Sequence, residues 1–137
     1  IGQLVLARSH PELFQQVLSI SAEEQLPYYL VEQELLGFDH GDLGALLIKE
    51  WNLSEELEQA VRWHHRLDHP DVQCADLAAM VALGEEVAAC GGSAAADEAA
   101  IAVEPSLAAT RLRVSPEMMR RLRTQAVEVS VDSSLFS

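Results

Sequence analysis

Two consecutive helix-period patterns joined by a short turn constrain this chain more than anything else in it. They occupy residues 34–65, reading ELLGFDHGDLGALLIKEWNLSEELEQAVRWHH. In the first, His40, Leu43, Gly44, Leu47 and Trp51 fall on one stripe of a 3.6-residue helix. In the second, Leu57, Ala60, Val61, His64 and His65 repeat it. Asn52-Leu53-Ser54-Glu55 is too short a link for anything but neighbouring helices, and Ser54 is placed to cap the second. Three imidazoles therefore aim inward. A buried imidazole without a hydrogen-bond partner costs roughly 1–3 kcal/mol, so a metal, a carboxylate, the backbone or water has to satisfy each of them.

The rest of the chain reads as helices with punctuated ends. Residues 1–7 resemble the end of a buried helix. Ser9-His10-Pro11-Glu12 is a start signal, a cap followed by Pro and Glu, for a helix ending near Gln25. Pro27 reopens the chain for a short helix over residues 28–36, closed by Gly37, and Asp39 is placed as the next cap. Residues 66–72 read as a loop, and residues 74–90 as an Ala-rich helix with a broad apolar arc. Gly91-Gly92-Ser93 begins a small-residue connection, and residues 94–103 fit a loop or a weak helix. Pro105 opens a short helix to Arg111. Ser115-Pro116-Glu117 starts a last helix lined by Met119, Leu122 and Ala126, with Arg120, Arg121 and Arg123 on its wetter side. Residues 127–137 read as a frayed tail.

Composition agrees with an all-α chain. Hydrophobic residues make up 49% of 137 but aromatics only 5%, so Leu, Ala and Val must build the core, which favours helices over a sandwich. The net charge of −13 repels phosphate backbones and argues against a nucleic-acid partner. That charge is uneven. Through Glu104 there are 4 basic and 19 acidic residues, whereas from Pro105 onward there are 5 and 3. The basic tail suits an acidic docking partner, with Arg120, Arg121 and Arg123 the candidates, although a solvated helix face explains them more simply. No apolar run is long enough to span a bilayer. Cys74 and Cys90 form no CxxC pair and read as small core residues in a reducing, cytoplasmic setting.

Several of these residues carry a family resemblance. Glu34, Gly37-Phe38-Asp39-His40, Leu43-Gly44-Ala45, Trp51-Asn52-Leu53 and Val61-Arg62-Trp63-His64-His65 occur in an order and spacing that resembles the HDOD domain. That domain is a signalling branch related to the HD-domain phosphohydrolases, and the resemblance covers roughly the first 90 residues. Ile1-Gly2-Gln3-Leu4 is similar to the segment just after the HD doublet in that superfamily, which would make the chain a C-terminal fragment of such a domain, its doublet lying ahead of Ile1. The resemblance implies an all-α, compact multi-helix bundle of HD type over residues 1–130 with a tail at 131–137. It also implies a non-catalytic regulatory role within a bacterial multidomain protein, beside a receiver or nucleotide-signalling domain.

Under the same resemblance His40, His64 and His65 correspond to metal ligands of the HD-GYP phosphodiesterases. That branch expects a GYP triplet soon after the paired histidines, and this chain has Arg66-Leu67-Asp68-His69-Pro70 instead. The preferred expectation is therefore a polar core without catalytic residues, without a favoured cofactor or metal, and with protein partners. The alternative is a divalent-metal phosphohydrolase that uses His40, His64 and His65. A third reading is a homodimerisation unit. Among single residues, Trp51 and Trp63 are expected in the core, Gly44 at a close helix contact, His10 and His69 in solvent, and Asp39 at an N-cap.

Overall fold

A computed structural model describes residues 1–90 and 105–132, which are helical: eight helices and no strand among the described residues. They are α1 (Gly2–Ser9), α2 (Pro11–Glu24), α3 (Tyr28–Leu36), α4 (His40–Glu50), α5 (Glu55–Trp63), α6 (Ala75–Cys90), α7 (Leu107–Arg111) and α8 (Pro116–Asp132). The chain divides into two compact units, Ile1–Ala78 and Ala79–Ser137.

In the first unit local chemistry sets most boundaries. Gln25 takes a left-handed conformation after α2, the Leu26 amide reaches back to the Ser21 carbonyl, and the Ser21 hydroxyl donates to the Leu26 carbonyl at 2.6 Å. Gly37 ends α3 at φ 81°. Ser54 accepts the Leu57 amide and starts α5. The expected start at residues 9–12 holds for Pro11 but not for its cap. His10 is the N-cap residue and makes no side-chain cap bond, while the Ser9 hydroxyl donates backward to the Val5 carbonyl.

α4 is the hub of this unit. It packs on α5, α1 and α3, while α2 bridges α1 and α3. Leu6, Val17, Val31, Ala45, Ile48 and Ala60 form the core, and a fully buried Ile or Val contributes about 1.5–3 kcal/mol. Two glycines allow the close approach. A Cβ on Gly2 would stand 2.0 Å from the His40 carbonyl oxygen, and one on Gly44 would stand 2.9 Å from a Val61 methyl. The close contact expected at Gly44 is present.

The stripe expected on α4 is rotated. The buried positions are His40, Gly41, Gly44, Ala45 and Ile48, and Leu43 and Leu47 lie at the margin. Trp51, expected in the core, is 56% exposed. Small residues at 41, 44 and 45 let α1 and α5 come close on that side, so the larger Leu and Trp side chains are displaced outward. On α5 Leu57 is exposed in turn, while Ala60 and His64 are buried. Cys74 is only half-buried, where a core position was expected.

In the second unit Ala79, Ala82, Leu83, Ala108 and Ala109 are buried. Ser106 caps α7 by accepting the Ala109 amide, and Ser115 accepts the Met118 amide at the start of α8. Residues 127–132, expected to fray, continue α8 to Asp132. The expected connection over residues 91–103, the Cys90 side chain and residues 133–137 lie outside the described residues. Among the described residues no helix is long and apolar enough to cross a membrane.

Candidate functional site

The three histidines of the opening stretch converge within the first unit. His40 is the first residue of α4 and 9% exposed, His64 comes just after the last turn of α5 and is 5% exposed, and His65 beside it is half-buried. One nitrogen from each lies within 4.8 Å of one from each of the others. His40 and His65 bring their Nε2 atoms to 2.9 Å, with the rings edge to face. His64 and His65 have centroids 3.8 Å apart. Gly41 makes room, because a Cβ there would stand 3.1 Å from the His64 ring and 2.9 Å from the Val61 carbonyl oxygen.

Each ring is held by its surroundings. His40 Nδ1 lies 2.6 Å from Glu32 Oε2, and the same oxygen accepts the His40 backbone amide at 2.8 Å. Glu32 thus binds both the side chain and the first-turn amide of α4, where the helix dipole favours negative charge. His64 Nδ1 donates to the Val61 carbonyl at 2.5 Å. His65 stacks on Tyr29, centroids 4.3 Å apart and planes 11° from parallel. Tyr29 and Glu32 sit three residues apart on α3, so one face of that helix serves both rings.

A second polar layer lies beside the first. Asp39 is fully buried and caps α4 by accepting the Asp42 amide at 2.9 Å, while Asp42 reciprocates on the Asp39 amide. Its other oxygen accepts from Arg66 Nη2 at 3.0 Å and from Gln33 Nε2 at 3.1 Å. Asp42 also pairs with Arg62, which reaches Glu58. Arg66 lies over the Trp63 ring at 5.2 Å, and His69 stacks on the same ring with centroids 4.3 Å apart. Asp39 is the N-cap expected from sequence, with an ion pair added to it. His10 is exposed as expected, and His69 stays partly in solvent with one ring face stacked on Trp63.

Sequence reasoning named the histidines but missed Glu32 and Arg66. The signal for Glu32 was present: Tyr29, Glu32 and Leu36 share one stripe of α3, so a glutamate sits where an inward residue belongs. The arginines of α8 form a different kind of surface. Arg120 and Arg121 are exposed, but Arg120 is paired with Glu117 at 2.7 Å. Arg123, expected on the wet side, is half-buried. Glu117, Arg120, Arg121, Thr124 and Glu128 share one open face of mixed charge.

Three helices thus bring a carboxylate–imidazole cluster together at the N-terminus of α4, an arrangement suited to a structural polar core or to cation binding. Comparison with known proteins agrees with the class. The family model of the HDOD domain matches residues 1–67, which supports the HDOD reading of this segment. The chain is similar to an uncharacterized protein of Treponema pallidum (strain Nichols), 29% identical over 82 residues, which are 60% of this chain and 16% of that protein. The chain therefore corresponds to about a sixth of its relative's length. No solved structure matches it.

Proposed function

We propose that this chain is an HDOD-type regulatory module, non-catalytic, which passes a signal through protein contacts inside a cytoplasmic bacterial multidomain protein. The observation that carries this reading is that Glu32 Oε2 accepts the His40 backbone amide and also contacts Nδ1 of the His40 ring. The Glu32 carboxylate anchors a helix start, and Asp39 likewise serves a cap and an ion pair. Together the two carboxylates tie α3, α4 and the segment after α5 into one unit. Such a unit responds to a partner by shifting helices as a body, because buried polar networks are costly to break singly. The HDOD match over residues 1–67 supports the same reading.

The test is phosphodiester hydrolysis by the longer parent protein, with cyclic dinucleotides and a generic phosphodiester as substrates. No turnover is expected. Turnover that disappears in His64→Ala while helicity is retained overturns the proposal and establishes the alternative, a divalent-metal phosphohydrolase.

A further inference from the structure

Resting on the regulatory reading above, we infer that the link between α4 and α5 is a docking face for a basic amphipathic helix of a protein partner. Trp51, Leu53 and Leu57 are its apolar anchors, and Glu50, Glu55 and Glu56 are its acidic edge. Residues 49–57 are all exposed. Trp51 is 56% exposed, Leu53 50% and Leu57 36%. Single apolar side chains on a surface are ordinary, but three so close together in the chain, one of them Trp, have the composition of an interaction site.

The link is held in shape by its own hydrogen bonds. The Trp51 amide donates to the Leu47 carbonyl at 2.9 Å, the Asn52 amide to the Lys49 carbonyl at 2.9 Å and the Leu53 amide to the Ile48 carbonyl at 3.1 Å. Asn52 completes the turn in the left-handed region at φ 54°, and Ser54 Oγ accepts the Leu57 amide. The three apolar side chains are thus carried on backbone that is fixed before a partner arrives, which lowers the ordering cost of binding. α4 ends at this link, and its other end is held by Glu32 and Asp39, so one helix joins the docking face to the polar cluster.

Charge selects the occupant. Glu50, Glu55 and Glu56 lie beside the anchors in the chain, against one base, Lys49. That edge, with the net charge of −13, repels phosphate-bearing partners, whether nucleic acid or anionic lipid. A second copy docked through the same face would set two acidic edges against each other, which like-charge repulsion opposes. A helix with aliphatic residues along one stripe and Lys or Arg flanking them satisfies both the anchors and the edge.

The probe is a synthetic amphipathic helix of about 18 residues, with leucines along one stripe and lysines beside them, together with its twin in which every lysine is glutamate. Calorimetry on the whole chain is expected to show one saturable site for the lysine peptide, weakening as salt rises, and no binding of the glutamate twin. NMR amide shifts are expected to place the peptide at residues 49–57. Trp51→Ala weakens binding about tenfold or more. Glu55→Gln combined with Glu56→Gln weakens it several-fold, whereas Glu23→Gln combined with Glu24→Gln, an exposed acidic pair on α2, leaves it unchanged. Circular dichroism confirms that each variant remains helical. Absence of binding, equal binding of the two peptides, indifference to Trp51→Ala, or as large a loss from the α2 pair as from the α5 pair overturns the docking face. So does a dimer in sedimentation that Trp51→Ala dissociates, because a second copy then covers the face. The two proposals fail separately: a failed peptide titration leaves the regulatory reading to its turnover test, and turnover ends that reading whatever the peptide result.

Discussion

Gly2 shows how one residue decides a packing distance. Its Cα faces the backbone of His40 so closely that an added Cβ would meet the carbonyl oxygen at 2.0 Å, and a backbone atom cannot swing away as a side chain can. Gly2→Ala is therefore expected to push α1 off α4 and destabilise the fold by about 1–3 kcal/mol, in the range of overpacking substitutions. Urea unfolding measures it, and a loss under about 0.5 kcal/mol would mean that α1 is free to adjust. Gly37→Ala is a different case: nothing crowds the site, so any cost there is that of its left-handed backbone.

Among the elements, the start of α4 concentrates the polar chemistry. Asp39→Ala removes the cap and strands Arg66 and Gln33, for an expected loss of about 2–3 kcal/mol. Asp39→Asn keeps a capping oxygen and loses the charge pair, so a smaller loss is expected. Equal losses in the two variants would place the whole effect in the carboxylate charge. The start of α5 makes a pH prediction. The Glu56 carboxyl is held below its ordinary value by its backbone hydrogen bond and then by the Ser54 side chain. Its folded pKa is depressed, so its contribution is complete above the unfolded value of about 4.3 and fades as pH falls through the folded value. Carboxyl titration by NMR should put the Glu56 midpoint below that of an unfolded peptide with the same sequence. An unshifted midpoint would remove this contribution.

For the molecule as a whole, a net charge of −13 governs which partners approach. Duplex DNA at low salt, where electrostatic binding is strongest, should give no change in fluorescence anisotropy at micromolar protein. Binding that weakens steeply with salt would show that a local basic face overrides the global charge. Within the second unit the mixed signs around Arg120 and Arg121 argue against such a face.

The sequence by itself determined the helical class, most helix boundaries and the inward direction of His40, His64 and His65. All three come from caps, Gly and Pro stops and 3.6-residue spacing, which act within a few residues along the chain. Only the tertiary structure decided that Glu32 holds His40, that Arg66 reaches Asp39 across 27 positions, and that α4 turns its small residues inward and Trp51 out. A hydrophobic stripe tells a helix to bury a face, but the width of that face tolerates a rotation of one position. Which residues end up inside depends on how closely the neighbouring helix can approach, and here glycines at 2, 41 and 44 set that distance.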